Sequence, residues 1–131
     1  MAQSIKALLE SAEAEVTTLE PAEVMTLRDD PDVTLVDLRD VRELQREGRI
    51  PGSFHAPRGM LEFWIDPESP YHKEVFSGDK RFIFYCNKGW RSALGAQTAQ
   101  RLGLESVAHL RGGLSAWQDA GGEVEPYQKK V

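Results

Sequence analysis

A chain of 131 residues matches the usual size of one domain with one core, which argues against a two-domain enzyme with its site between halves. With 40% apolar and 28% charged residues it carries too much apolar content for a disordered chain. Its 16 Lys and Arg against 21 Asp and Glu give a formal charge of -5, which disfavours a nucleic-acid coat or a polybasic membrane surface, so any bound anion has to meet a local positive patch.

In chain order, Ile5, Leu8, Leu9, Ala12 and Val16 recur at spacings of three and four, with Lys6, Glu10, Glu13 and Glu15 on other faces. The spacing predicts an amphipathic helix over residues 1–16 packed on the domain's own core rather than on a partner. Those acidic residues interrupt any signal-peptide core, and no apolar run approaches a membrane span. Thr17, Thr18 and Leu19 form a short β-prone stretch, and Glu20-Pro21 opens a helix through Val24 and Leu27 that stops near Asp30-Pro31.

TLVDLR, residues 34–39, is a nearly continuous apolar run, the mark of a strand buried on both faces of a parallel sheet. VRELQREG predicts a charged helix ending at Gly48; Ile50-Pro51-Gly52 then predicts a turn and residues 53–56 a short strand. Residues 58–80 read poorly, with a helix suggested by Met60, Leu61, Phe63, Trp64 and Ile65 between loop-forming prolines and glycines.

RFIFYC, residues 81–86, is the strongest strand signal. A helix follows over residues 91–102, closed by Gly103; residues 107–110 predict another strand, and Gly112-Gly113 leads into a helix carrying Leu114 and Trp117. Alternating strands and helices define an α/β layer with a largely parallel sheet, in which ligands bind outside the carboxyl ends of strands. Cys86 falls at such an end.

Cys86 is the single cysteine, so the chain has no internal disulfide or multi-thiolate zinc site, and a reducing, cytoplasmic compartment is expected. In YCNKGWRSA it sits between a strand and a helix, with Gly89 letting the backbone curl so that several N–H groups converge on one point. Those donors, the helix dipole and the cations of Lys88 and Arg91 favour a thiolate, whose ordinary pKa of about 8.5 such surroundings can lower to about 7.5 or below. For the thiol alone the competing reading is a buried structural cysteine. The basic, glycine-containing loop around it favours chemistry.

CNKGWRSA resembles the active-site loop of rhodaneses, and three further stretches agree with that family's pattern: VDLRDVREL at 36–44, GRIPGSFHAP at 48–57 and HLRGGLSAW at 109–117. The resemblance runs from about Thr17 to Gly122. It implies a rhodanese-like domain over 17–125 after the 1–16 helix, with a tail over 126–131. The implied fold is a five-stranded, mainly parallel sheet flanked by helices on both faces, with Cys86 at the carboxyl end of the central strand. It also implies sulfur transfer from a donor such as thiosulfate to cyanide or a thiol, possibly on an accepting protein, through a Cys86 persulfide. No cofactor is implied.

On that reading Cys86 is the nucleophile, Asn87, Lys88, Gly89, Trp90 and Arg91 form the persulfide and anion cradle, and Lys88 matches a basic position associated with thiosulfate use. Trp90, bulky for its position, either restricts small donors or offers a stacking surface to a larger acceptor. Asp37 and Arg39 are read as supporting residues that buttress the site rather than as acid and base, and Arg58 as part of a positive rim.

His55, His72 and His109 lack metal-ligand spacing and are read as structural or surface residues; no metal site is expected. Two other function classes stay open. Cysteine phosphatases of the related fold use a loop with five residues between cysteine and arginine, whereas only Asn87, Lys88, Gly89 and Trp90 intervene here. Non-catalytic binding modules on the same scaffold commonly lack the cysteine.

Overall fold

The computed structural model describes residues 2–128. Met1 of the expected helical segment and residues 129–131 of the expected tail lie outside the described residues. Five strands, β1 (Thr17–Leu19), β2 (Val33–Asp37), β3 (Phe54–His55), β4 (Arg81–Tyr85) and β5 (Val107–Leu110), form one sheet in the order β1-β5-β4-β2-β3. Every pairing is parallel, so the strand that precedes Cys86 is central and is paired on both sides.

Six α-helices cover the two faces: α1 (Ile5–Glu15), α2 (Pro21–Leu27), α3 (Val41–Glu47), α4 (Leu61–Ile65), α5 (Trp90–Arg101) and α6 (Gly113–Asp119). Strand β4 shows why two layers are needed. Its alternate side chains point to opposite faces. Phe82 and Phe84 bury with Leu61, Ile65, Ala96 and Ala99, while Ile83 and Tyr85 bury with Val24, Leu114 and Trp117. A strand apolar on both faces must be covered on both, which is what the unbroken run RFIFY requires.

β2 ends at Asp37 rather than at Arg39, because the Asp37 carboxylate accepts the Arg39 N–H at 3.0 Å and turns the chain out of the sheet. The obscure stretch 58–80 resolves into a 3-10 turn at Arg58–Met60, α4, and a second turn at Glu74–Phe76. Phe76 wedges between Phe54 and Phe82, with ring centroids 6.0 and 5.4 Å away.

α1 starts at an N-cap Ser4, whose hydroxyl accepts the Ala7 N–H, and buries Ala12. It packs along α5, where the Gln97 amide donates to Glu15 and Ser11. At the other end of the chain Glu125 bridges Arg49 in antiparallel fashion, and Trp117 donates its indole N–H to the Glu123 carbonyl at 2.8 Å. A Cβ on Gly122 would lie 2.3 Å from that indole, so a residue with a side chain does not fit there.

Candidate active site

The chain leaves β4 at Tyr85, and Cys86 is the first residue beyond the sheet. Gly89, at φ 100°, takes the left-handed conformation that a residue with a Cβ rarely adopts, and it caps the start of α5. This curl brings the Gly89 N–H to 3.1 Å from Cys86 Sγ. Ser92, in the first turn of α5, places its hydroxyl 3.6 Å from the same sulfur.

The loop is held from behind by the start of α6. The Leu114 N–H donates to the Cys86 carbonyl at 2.8 Å and the Ser115 N–H to the Asn87 carbonyl at 3.1 Å. The approach needs Gly113, whose φ is 62° and whose added Cβ would lie 2.4 Å from the Cys86 carbonyl oxygen. The glycine pair thus fixes the loop that carries the thiol.

Cys86 is only 1% exposed and sits at the base of a cavity of about 500 Å³ lined by Cys86, Asn87, Lys88, Trp90 and Arg91. Trp90, 62% exposed, forms one wall. Of the expected loop residues, Asn87, Lys88, Trp90 and Arg91 line this cavity with Cys86, and Gly89 directs its N–H at the sulfur.

The two cations are engaged elsewhere than at the sulfur. Lys88 Nζ donates to Ser115 Oγ at 3.0 Å. Arg91 makes a two-pronged pair with Glu43 of α3, at 2.8 and 3.0 Å, which holds the Glu43 carboxyl below the usual carboxylate range and raises the basicity of the guanidinium.

The supporting residues line up behind the loop rather than in the cavity. Arg39, fully buried, donates to both Asp37 oxygens and to the Gly48 carbonyl at 2.7 Å. Burial opposes its charge, but the Asp37 carboxylate outweighs burial and leaves its basicity raised. Next to this pair, the buried Tyr85 hydroxyl meets Ser53 Oγ and the Ile50 N–H, and burial pushes its ionisation up. Arg58 instead pairs with Glu62 at 2.8 Å and reaches Thr98, and it does not line the cavity.

Sequence reasoning missed one group. Ser92 Oγ lies 3.1 Å from His109 Nδ1, and His109 Nε2 lies 3.1 Å from Thr18 Oγ1 and 3.4 Å from Glu13 Oε1. His109 is buried, and burial holds its pKa below the ordinary imidazole value, with Glu13 opposing. The available signal was a titratable residue in the otherwise apolar strand VAHL, next to the strand that leads to the cysteine. Among the described residues no three His, Cys, Asp or Glu side chains are grouped to hold a metal ion.

A parallel sheet with a cysteine curled under a helix start defines the class, and the family model for the rhodanese-like domain matches residues 20–120. The chain belongs to the rhodanese-like domain family. It is 31% identical over 100 residues to mouse thiosulfate sulfurtransferase/rhodanese-like domain-containing protein 3, covering 72% of this chain and 64% of that protein's length. A sulfurtransferase of Allochromatium vinosum is 31% identical over 91 residues, 70% of this chain and 77% of that one.

Among solved structures, RPA3614 of Rhodopseudomonas palustris superposes with a TM-score of 0.92 at 54% identity, over 95% of this chain and 96% of that one. It is described as a protein of unknown function and a possible tyrosine phosphatase.

Proposed function

We propose that the protein moves a sulfane sulfur from an anionic donor such as thiosulfate to cyanide or a thiol through a persulfide on Cys86. The observation that carries this reading is the Gly89 N–H directed at Cys86 Sγ, 3.1 Å away, at the base of the loop cavity. A backbone donor costs no side-chain entropy to position and stabilises a sulfur anion in a site shielded from water.

With thiosulfate, the Cys86 thiolate attacks the outer sulfur, a new S–S bond forms, and the old S–S bond breaks so that sulfite leaves with its electron pair. An acceptor thiolate or cyanide then attacks the outer sulfur of the persulfide, and Cys86 departs as thiolate. In this scheme the N–H groups of Asn87, Lys88, Gly89, Trp90 and Arg91 cradle the outer sulfur. Lys88 raises the local donor concentration from the cavity rim, and Arg91 adds positive potential while anchored by Glu43. Asp37 and Arg39 hold the strand end beside the loop, and Arg58 acts no closer than the rim. A lone free thiol of this kind suits a reducing compartment such as the cytoplasm, with the N-terminal helix as part of the same folded unit.

The description of the Rhodopseudomonas protein favours a second reading, phosphoester hydrolysis on Cys86. Four residues separate Cys86 from Arg91, a tighter ring than a tetrahedral phosphoryl group with three oxygens calls for, and the outer nitrogens of Arg91 already hold Glu43. Intact mass after incubation with thiosulfate separates the readings. A gain of one sulfur, removed by cyanide and lost in Cys86→Ser, is the expected result; hydrolysis of p-nitrophenyl phosphate without that gain would overturn it. Inertness in both assays would leave a partner-binding role and would equally overturn it.

A further inference from the structure

Behind Cys86, on the side away from the cavity, Ser92 has one hydroxyl hydrogen and three neighbours that can take it: Cys86 Sγ at 3.6 Å, the Gly89 carbonyl at 3.3 Å and His109 Nδ1 at 3.1 Å. Where that hydrogen points decides whether Ser92 presents a donor or an acceptor to the sulfur. His109 controls the direction.

The far side of His109 fixes its tautomer. Thr18 Oγ1 lies 3.2 Å from Glu13 Oε2, a carboxylate oxygen that only accepts, so the threonine hydrogen goes to Glu13. Thr18 Oγ1 and Glu13 Oε1 then both face His109 Nε2 as acceptors, so Nε2 carries the hydrogen and Nδ1 of the neutral ring is bare. Nδ1 takes the Ser92 hydrogen, and Ser92 Oγ turns a lone pair to the sulfur. That arrangement suits Cys86 as a thiol.

A thiolate needs the reverse, with the Ser92 hydrogen aimed at sulfur and a hydrogen on Nδ1. A single net transfer achieves both. The S–H bond breaks as its proton joins Ser92 Oγ, and the hydrogen that Ser92 already carried passes to Nδ1. The products are a thiolate, a neutral hydroxyl and an imidazolium facing the Glu13 carboxylate.

Resting on the reading of Cys86 as nucleophile, we propose that His109 is the internal proton acceptor for this thiol, acting through Ser92, with Glu13 of α1 balancing the charge that results. The groups facing His109 are Glu13 from α1, Thr18 from β1, Ser92 from α5, Cys86 beyond Ser92, and Arg111 just after β5. Arg111 opposes the imidazolium, but its side chain is bound by Glu20. Burial keeps His109 neutral before the transfer, so Nδ1 is free to accept. Glu13 lies on α1 and Thr18 on β1, both before the family-matched residues 20–120. His109 and Glu13 are positioning residues, because each acts on the sulfur through its neighbour, whereas Ser92 meets the sulfur directly.

The test uses the full chain and no sulfur donor, so its failure is distinguishable from failure of the sulfurtransferase reading. Alkylation of Cys86 by iodoacetamide is followed by intact mass from acid to alkaline pH, and the His109 ring is titrated by NMR. In Ser92→Ala and His109→Gln, alkylation at neutral pH slows by about tenfold, the equivalent of one unit of thiol ionisation, and converges with wild type at alkaline pH. Glu13→Gln, a change at a residue whose side chain is 42% exposed, slows it by about threefold and moves the His109 titration to lower pH. Blocking Cys86 in wild type shifts that titration in the same direction, because the imidazolium loses the thiolate that stabilises it. Identical alkylation profiles in wild type, Ser92→Ala and Glu13→Gln would overturn the proposal, as would a His109 titration indifferent to the state of Cys86.

Discussion

Two buried polar clusters flank the carboxyl end of β4, and they are built on opposite principles. On the β2 side, Asp37 and Arg39 bury two full charges against each other, and one outer nitrogen of Arg39 also holds the Gly48 carbonyl while the other has no partner among the described residues. On the β5 side, the buried neutral groups of Ser92 and His109 continue through the half-buried Thr18 in a line that ends at a half-exposed carboxylate, Glu13. A guanidinium does not give up its proton under ordinary conditions, so the first cluster is locked in one state. The second is made of groups whose protons can move, and it alone touches the sulfur. Rigidity and reactivity are thus assigned to different neighbours of the same strand.

Breaking the locked side should cost most. Asp37→Ala leaves the Arg39 charge buried without its partner and is expected to lose about 3–5 kcal/mol in urea unfolding. A loss under about 1 kcal/mol would mean that the pair is not closed. On the other side, Gly113→Ala combines a positive φ with a Cβ set against the Cys86 carbonyl. A cost of about 1–3 kcal/mol is expected, with persulfide yield falling because the loop loses its backing. Wild-type yield in a stable Gly113→Ala would remove the glycine pair from any role in the site.

Acid sharpens the contrast, with an effect under about 1 kcal/mol from Glu43 because its partner Arg91 is 40% exposed. The folded-state pKa of Glu43 is depressed, so its contribution is present above the unfolded value of about 4.3 and is lost as pH falls through the folded one. His109 acts in a higher window. Its folded pKa is also depressed, so below about 6.5 the unfolded chain takes up a proton from solvent more readily than the folded chain, and stability falls on that side. Urea midpoints against pH should therefore show a shallow loss that His109→Gln removes and a later one that Glu43→Gln removes. The smallest effect is that of Lys88→Glu, a change at an exposed residue: a few-fold loss of thiosulfate use at low salt, fading as salt screens it, with unfolding unchanged. Equal rates at low salt would discard the role of Lys88.

The strands and the loop were legible because their signals are local. RFIFY and TLVD read as continuous apolar runs, and those segments are buried on both faces. The stretch 58–80 was not legible because groups outside it hold it: the Arg58 N–H bonds to the Leu38 carbonyl, and Phe76 packs on Phe54 and Phe82. The sequence presents Arg91 as a cation for the sulfur, yet Glu43, 48 positions away, takes its outer nitrogens. His109 reads as a bland residue for the same reason, since its partners Ser92 and Thr18 lie 17 and 91 positions away and meet it only through the β1-β5-β4 adjacency.

The clasp of Leu114 and Ser115 on the Cys86 loop also sets the order in which a newly made chain becomes competent. The thiol leaves the ribosome before the turn that backs it, and β1, made before every other strand of the sheet, waits for β5 to complete its pairing. A chain halted before residue 113 therefore carries its cysteine on a loop that lacks the backing hydrogen bonds of Leu114 and Ser115.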